Sequence, residues 1–263
     1  MNVHNFLQKK KNDQKITMVT CYDHWSAQII NETDIDCILV GDSLSMVMHG
    51  NDTTLQATVE MMRLHSQAVT KGAPKKFIVA DMPFLSFRKG LEPAMNAVET
   101  LMQTGAHAVK IEGVTGHEDI IKHVVDSGVP VMGHIGLTPQ SIHGLGGNKV
   151  QGKQEEHKDR LLSEAKKLQD LGCFALVLEC VPKTLATQIT KNLTIPTIGI
   201  GAGVGTDGQV LVLQDLLGMN AGFKPKFLKT YLNGFEVVQG AINQYVSEVN
   251  EQSFPTDQQS YEG

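Results

Sequence analysis

Three acidic residues stand at or just beyond the ends of three consecutive apolar runs. Asp42 follows CILV, Asp81 follows FIVA, and Glu112 follows AVKI. A single acid in such a place is often a helix cap, but three in succession indicate a shared site. Carboxylates without a nearby histidine-rich or thiolate cluster are ligands that a hard cation prefers, and Mg²⁺ fits best. The pattern therefore predicts a metal site formed by these three side chains.

The run that ends in Glu112 carries two charges on one face. Side chains alternate along a strand, so Lys110 and Glu112 share one face while Val109 and Ile111 share the other. The apolar face should meet covering helices, which points the charged face inward. Buried charges are costly unless they are paired or bound to a ligand. The two interpretations are a structural Lys110–Glu112 ion pair and a site in which Lys110 offsets the charge of an anionic substrate.

Four further signals lie in the second half of the chain. Glu179 follows five apolar residues, and burial there would raise its pKa and suit a general base, with a cap or salt bridge as the alternative. His134 either orients a substrate or forms a hydrogen bond in the core. GIGAG (199–203) resembles a phosphate cradle, although tight turns also use glycine. The polar, glycine-rich stretch 138–153 fits a lid or ligand loop.

Strand-like runs alternate with amphipathic segments along the chain. The runs are residues 16–22, 37–40, 77–80, 108–111, 129–132, 174–178, 195–200 and 209–213. The clearest helices between them are predicted at 58–70, 92–105 and 156–171. The repeated alternation predicts a parallel sheet closed into a (β/α)8 TIM barrel, with an open doubly wound sheet as the alternative. In a barrel the carboxyl ends of the strands form one rim, where the acids would meet.

The length and composition suit one barrel. The chain has 263 residues, 41% of them hydrophobic and 19% charged, and such a barrel takes about 250 residues. We expect a single domain over residues 1–263. Its additions are an N-terminal helix at 3–11, which could plug the bottom of the barrel, and a C-terminal helical region at 226–250. Residues from about 251 to 263 should form a flexible tail.

The charge pattern and the apolar runs exclude several classes of protein. The net charge is −5 with no basic stripe, which argues against a nucleic-acid partner. No apolar run approaches the roughly 18 residues that span a bilayer, and the start of the chain lacks the apolar centre of a signal peptide. The four cysteines contain no C-x-x-C pair and suit reduced, packed thiols. These features predict a cytoplasmic protein without a membrane partner.

Ten blocks resemble the ketopantoate hydroxymethyltransferase family, also called the 3-methyl-2-oxobutanoate hydroxymethyltransferases. They occur in the family's order from about residue 15 to beyond the eighth run. The blocks are VTCYD, VGDSLSMV, GNDTTLQATVEMM, ADMPF, VKIEG, GHIGLTPQS, GGNKVQGK, LVLEC, IGIGAG and DGQVLV. Several long blocks in order are far more specific than one glycine motif.

The resemblance implies a Mg²⁺-dependent barrel enzyme of pantothenate and coenzyme A biosynthesis. Such an enzyme transfers a hydroxymethyl group from 5,10-methylenetetrahydrofolate to 3-methyl-2-oxobutanoate, through a Mg-stabilised enolate, and gives 2-dehydropantoate. The resemblance also implies a large, decamer-like homo-oligomer. The positions that match the metal site are Asp42, Asp81 and Glu112. Those that match or lie near the oxo-acid site are Asp42, Ser43, Asp81, Lys110 and His134. The position of the proton acceptor is Glu179.

Some positions depart from the family pattern, and other functions are open. Ser45 and Val114 stand where glycine is usual, and Gln56 replaces a frequent proline. None of these changes removes a proposed ligand, but they bear on the loop after the second run and on the fit of the folate. One alternative is a Mg²⁺-dependent 2-oxo acid aldolase or lyase that needs no folate. Another is a non-catalytic assembly or ligand-binding barrel, which the charged inward face disfavours.

Overall fold

Eight parallel strands form a closed barrel in the computed structural model, which describes residues 1–147, 149–220, 222 and 225–263. Each strand pairs with the next, and the last pairs with the first, so the predicted closed sheet is confirmed and the open sheet is wrong. The strands are β1 (Ile16–Thr20), β2 (Cys37–Val40), β3 (Phe77–Asp81), β4 (Ala108–Glu112), β5 (Val131–Gly136), β6 (Ala175–Glu179), β7 (Thr197–Ile200) and β8 (Gly208–Leu211).

Two strands begin two residues later than predicted, and proline explains both. β5 begins at Val131 and β7 at Thr197, immediately after Pro130 and Pro196. A proline has no N–H to donate to the strand ladder, so a strand tends to begin after it. Both prolines still accept a hydrogen bond through their carbonyl groups from the neighbouring strand. The register of the barrel is therefore continuous across these late starts.

Helices cover the barrel in the first compact unit, residues 1–212. They are α1 (Val3–Lys11), α2 (His24–Asn31), α3 (Leu44–Val47), α4 (Val59–Gly72), α5 (Leu91–Met102), α6 (Glu118–Asp126), α7 (Ile142–Leu145), α8 (Glu155–Asp170) and α9 (Lys183–Asn192). Short 3-10 helices occupy Thr54–Gln56 and Pro139–Ser141. The three helices predicted from periodicity correspond to α4, α5 and α8. Thr58 begins α4 as its cap, because its side chain accepts a hydrogen bond from Met61 N.

The connection between β7 and β8 contains no helix, so the eightfold alternation predicted from the sequence is incomplete. Residues 201–207, all of them described, form a loop that packs on α9. A Cβ atom on Gly203 would lie 2.6 Å from Lys183 Cβ, and one on Gly205 would lie 2.0 Å from Thr187 Oγ1. These close approaches support the interpretation of GIGAG as a tight turn, since only glycine fits there.

Helix α1 closes the amino-terminal end of the barrel, as predicted. The fully buried Phe6 ring packs edge-on against Phe77 and Phe174, with 5.2 Å between ring centroids in each pair. Lys10 Nζ lies 2.8 Å from Asp207 Oδ2 and also donates to two backbone carbonyls near β7. Apolar packing and a satisfied cation together hold this helix in place.

Residues 213–263 form a second compact unit, which is described by itself. It contains α10 (Leu213–Leu216), α11 (Gly234–Asn250) and a 3-10 helix at Asp257–Gln259. The C-terminal helix thus begins later than the predicted 226. One domain over residues 1–263 and a flexible tail after residue 250 stay predictions. None of the described helices has the length and apolar content needed to cross a bilayer.

The contact of Phe6 with the barrel floor predicts a large stability effect. Phe6→Ala should lower the free energy of unfolding by about 3–5 kcal/mol, because it leaves a cavity among aromatic rings. Phe6→Leu should cost less, since it fills part of the same space. Urea unfolding followed by far-UV circular dichroism measures both. Leu64→Ala, at a side chain that is 52% exposed, is the control and should stay within about 0.5 kcal/mol of wild type. A Phe6→Ala protein as stable as that control would contradict the role of α1.

Candidate active site

One cavity at the carboxyl ends of the strands brings together every site residue predicted from the sequence. Its volume is about 110 Å³. Its polar lining includes Asp42, Ser43, Asp81, Lys110, Glu112, His134 and Glu179. Apolar side chains from four strands or their ends line it as well: Leu39, Val177, Ile200 and Val210. The site is therefore small and polar on one side and apolar on the other.

A larger cavity of about 600 Å³ lies within the second unit. The described residues that line it include two carboxylates, Asp215 and Glu236, and no lysine, arginine or histidine. A charged cluster converges only on the smaller cavity of these two. We therefore place the candidate active site at the barrel rim rather than at this larger cavity.

Strand register sets the closest ion pair of the site. Asp81 of β3 is the register partner of Lys110 of β4, and Lys110 Nζ lies 2.7 Å from Asp81 Oδ1. The distance from Lys110 Nζ to Glu112 Oε1 is longer, 3.7 Å. Burial would lower the pKa of Lys110, but the charges of Asp81, Glu112 and Asp42 raise it above its usual value. Lys110 is therefore a buried cation, shared among carboxylates rather than paired with Glu112 alone.

Negative charge exceeds positive charge around this lysine. Burial raises the pKa of Asp42 well above its usual value, and the charges of Asp81 and Glu112 raise it further. Burial also raises the pKa of Asp81, against the opposing effect of Lys110. Two carboxyl groups with raised pKa values in one small cavity indicate a site that favours a proton or a cation.

His134 lies between two carboxylates. Its Nδ1 is 3.3 Å from Glu112 Oε1, and its Nε2 is 3.3 Å from Glu179 Oε2. Burial and the charge of Lys110 lower the pKa of His134, but its contacts with the carboxylates of Glu112 and Glu179 outweigh them and raise it to about 9. The Nε2 contact is an ion pair without directed hydrogen-bond geometry. The same histidine keeps the pKa of Glu112 below its usual value, although burial alone would raise it.

Glu179 is the last residue of β6 and is less buried than the other acids. Its side chain is 19% exposed, whereas that of Glu112 is 3% exposed. The backbone around it is tightly turned: Leu137 N donates to Glu179 O at 2.8 Å, and a Cβ atom on Gly136 would lie 2.3 Å from that oxygen. The deep burial predicted for Glu179 is therefore only partial, and its carboxylate faces both the cavity and solvent.

Two polar contacts at the site were not predicted as functional. Tyr22 is buried, and its hydroxyl lies 2.7 Å from Ser43 Oγ. Gln140, in the 3-10 helix after β5, donates through Nε2 to Asp42 Oδ2 at 2.8 Å. Both belong to sequence blocks that carried the resemblance, but neither has a charge that spacing alone could single out. Gln140 lies in the predicted lid stretch 138–153, of which Asn148 is outside the described residues.

The oxygen donors of this site suit Mg²⁺ better than a metal ion whose ligands are all protein side chains. Among the described residues, no three histidine, cysteine, aspartate or glutamate side chains are grouped so that they could hold a metal ion. Mg²⁺ usually takes only one or two carboxylates and completes its octahedron with water and substrate oxygens. Asp81 Oδ1 and Glu112 Oε1 are buried and accept no directed hydrogen bond, so each has capacity for a further ligand. Oxygen donors and excess negative charge are what such an ion requires.

Comparison with known proteins agrees with this geometry. The family model for ketopantoate hydroxymethyltransferase matches residues 1–257. The chain belongs to the ketopantoate hydroxymethyltransferase family. The 3-methyl-2-oxobutanoate hydroxymethyltransferase of Bdellovibrio bacteriovorus is 59% identical over 257 residues, which is 98% of each chain. That of Francisella tularensis subsp. novicida is 58% identical over 261 residues, covering 99% of this chain and 98% of its own. The resemblance inferred from the ten blocks is confirmed.

A solved structure supports the fold of this family member. Phosphonopyruvate hydrolase, in a crystal structure of its complex with oxalate and Mg²⁺, matches all of this chain and 92% of its own. The TM-score is 0.64 and the sequence identity 8%. At that identity the likeness extends to the fold alone, and it agrees with the closed barrel described above.

The ion pairs of His134 predict its titration in the metal-free protein. Its pKa should lie near 9, and Glu179→Gln should lower it because a neutral amide no longer stabilises the imidazolium. This pKa is above the value of about 6.5 in the unfolded chain, so protonation of His134 stabilises the folded protein. That stabilisation is complete below pH 6.5 and is lost as the pH rises through about 9. NMR titration of the imidazole measures the pKa.

Glu164→Gln is the control for this titration. Glu164 is half-buried and lies near Arg160 rather than His134, so its replacement should leave the pKa of His134 unchanged. A wild-type pKa at or below 6.5 would contradict the arrangement of His134 between two ionised carboxylates.

Proposed function

We propose that this protein transfers a hydroxymethyl group from 5,10-methylenetetrahydrofolate to 3-methyl-2-oxobutanoate, giving 2-dehydropantoate for pantothenate biosynthesis. One observation carries the proposal: four carboxylates, a lysine and a histidine line one small cavity at the barrel rim. Curated relatives that share about 59% identity over nearly the whole chain are named for this reaction. Burying a cluster of charges of this kind costs folding free energy, which supports a functional role for the site.

The two sides of the cavity suit the two ends of a branched 2-oxo acid. In the proposal, Lys110 and Ser43 bind the carboxylate end, because an ammonium and a hydroxyl can both donate to it. Tyr22 holds Ser43 through the 2.7 Å contact between their oxygens. The apolar wall, which includes Val177 and Val210, accommodates the isopropyl group. A small volume of this shape would exclude much larger oxo acids.

Asp42, Asp81 and Glu112 would hold the Mg²⁺ ion, directly or through water. When bound, the ion would polarise the ketone of the oxo acid and acidify the hydrogen on C3. Lys110 would keep the local charge balanced as the anionic substrate enters, since it lies 2.7 Å from Asp81 Oδ1. The raised pKa values of Asp42 and Asp81 support this assignment, because burial with like charges favours a compensating cation.

Glu179 is the proposed base. It removes the proton from C3 of the oxo acid, and the carbon left with the electron pair attacks the methylene carbon of the opened folate iminium. Water then supplies the hydroxyl oxygen, and tetrahydrofolate leaves. His134, 3.3 Å from Glu179 Oε2, orients the carboxylate. Partial exposure of Glu179 suits a group that must exchange its proton with solvent after each turnover.

The remaining expectations belong to the same proposal. We infer a cytoplasmic enzyme that forms a large homo-oligomer and has small-molecule partners only. The net charge of −5, without a basic stripe, supports the absence of a nucleic-acid partner. The proposed oligomer is supported by the family resemblance alone, and sedimentation velocity of the full chain would measure it.

Exchange at C3 isolates the role of Glu179. In deuterated water with Mg²⁺ and without folate, the wild type should exchange the C3 hydrogen of 3-methyl-2-oxobutanoate. Glu179→Gln should slow that exchange by about 100-fold or more, because an amide cannot accept the proton, while substrate binding stays near normal. Proton NMR follows the exchange, and Glu164→Gln is the control. Wild-type exchange in Glu179→Gln would remove this residue from the role of base.

The conversion assay tests the whole proposal. Product formation should require the oxo acid, methylenetetrahydrofolate and Mg²⁺ together, and a chelator should abolish it until Mg²⁺ is restored. Turnover of 2-oxo acids without folate would favour the aldolase or lyase function instead. Full folate-dependent turnover in the presence of chelator would refute the metal assignment but leave the transfer reaction standing.

A further inference from the structure

The three acids of the site share one pattern of hydrogen bonding. Each has one carboxylate oxygen held by an N–H group of the protein. Asp42 N donates to Asp81 Oδ2 at 2.9 Å, Gln140 N donates to Glu112 Oε2 at 3.1 Å, and Gln140 Nε2 donates to Asp42 Oδ2 at 2.8 Å. Two of these three hydrogen bonds come from a single residue, Gln140.

The opposite oxygens have capacity for another ligand. Asp81 Oδ1 and Glu112 Oε1 are buried and accept no directed hydrogen bond, although Lys110 Nζ lies 2.7 and 3.7 Å from them. Fixing one oxygen of a carboxylate limits rotation of the group and thereby fixes the direction of the other.

Gln140 is itself held firmly. It is 6% exposed and belongs to the 3-10 helix Pro139–Ser141, which directly follows β5. Its Nε2 also donates to Met82 O at 2.9 Å, so the two hydrogens of the amide are both used. The Gln140 side chain therefore links the loop after β5 to the loops after β2 and β3. The backbone N–H of Gln140 donates to Glu112 at the end of β4.

We propose that Gln140 is a positioning residue that orients Asp42 and Glu112 toward a divalent cation. The inference rests on the proposed function, because it assigns Gln140 to the same metal site. Groups that donate hydrogen bonds to metal-binding carboxylates typically change metal affinity by 10- to 100-fold when they are removed. A residue that only anchors the loop would change stability and leave the affinity of the folded protein for the ion unchanged.

Mn²⁺ binding to the substrate-free enzyme tests the proposal without relying on activity. Electron paramagnetic resonance of free Mn²⁺ gives the dissociation constant for the wild type, Gln140→Ala and Gln140→Met. Methionine has about the length of glutamine but no side-chain N–H, so it removes the donor to Asp42 with little loss of volume and keeps the backbone N–H that donates to Glu112. Gln151→Ala is the matched control, since Gln151 is also buried and, among the described residues, its Nε2 donates to Lys149 O and to none of the three acids.

Both Gln140 variants should bind Mn²⁺ about 10- to 100-fold more weakly than the wild type, and Gln151→Ala should bind it normally. Near-UV circular dichroism checks that each variant is folded. Wild-type affinity in a folded Gln140 variant would overturn this inference while leaving the proposed function intact. Failure of both variants to fold would make Gln140 a structural residue and overturn it too. A wild type that binds no Mn²⁺ but transfers the hydroxymethyl group would refute the metal site itself.

Discussion

The buried contact between Lys110 and Asp81 is the constraint on which the site depends. Their charged atoms are 2.7 Å apart and both side chains are almost fully buried. Moving either ion out of water costs several kcal/mol, and a good pair geometry must offset that cost. The parallel register of β3 and β4 supplies the geometry because it sets the two residues side by side. A slip of one residue would turn both charges toward the covering helices.

The barrel interior is divided along its axis, and this division keeps the charges together. Toward the amino ends of the strands the interior is apolar, with Phe6, Phe77 and Phe174 packed edge to face. Toward the carboxyl ends the inward positions of β4 become Lys110 and Glu112. Water is excluded from below by the aromatic layer, so the charges above it interact in a medium of low polarity. A rigid apolar floor thereby strengthens the electrostatics of the rim.

The features that sequence reasoning could predict are those in which one face of a strand has a clear pattern. AVKI followed by an acid specifies two inward charges, and repeated apolar runs specify parallel strands. The missing helix between β7 and β8 was not foreseeable from periodicity. Gln140 was missed for a related reason: a neutral amide in an irregular loop has no charge and no periodic partner to mark it. Its role depends on three contacts with other strands' ends, which only the closed barrel creates.

The acids of the rim differ in how deeply they are buried. Asp42 and Asp81 are almost fully buried and their pKa values are raised, so their ionised forms are less favourable in the folded protein than in water. A cation that binds only the folded form would stabilise that form by mass action. Glu179, at the mouth of the same cavity, retains contact with solvent. Fully buried acids can hold a charge in place but cannot readily exchange a proton with water, whereas a partly exposed acid can. The difference in exposure between Glu179 and the other acids is therefore the physical argument for the proposed roles, proton transfer by Glu179 and metal binding by the rest.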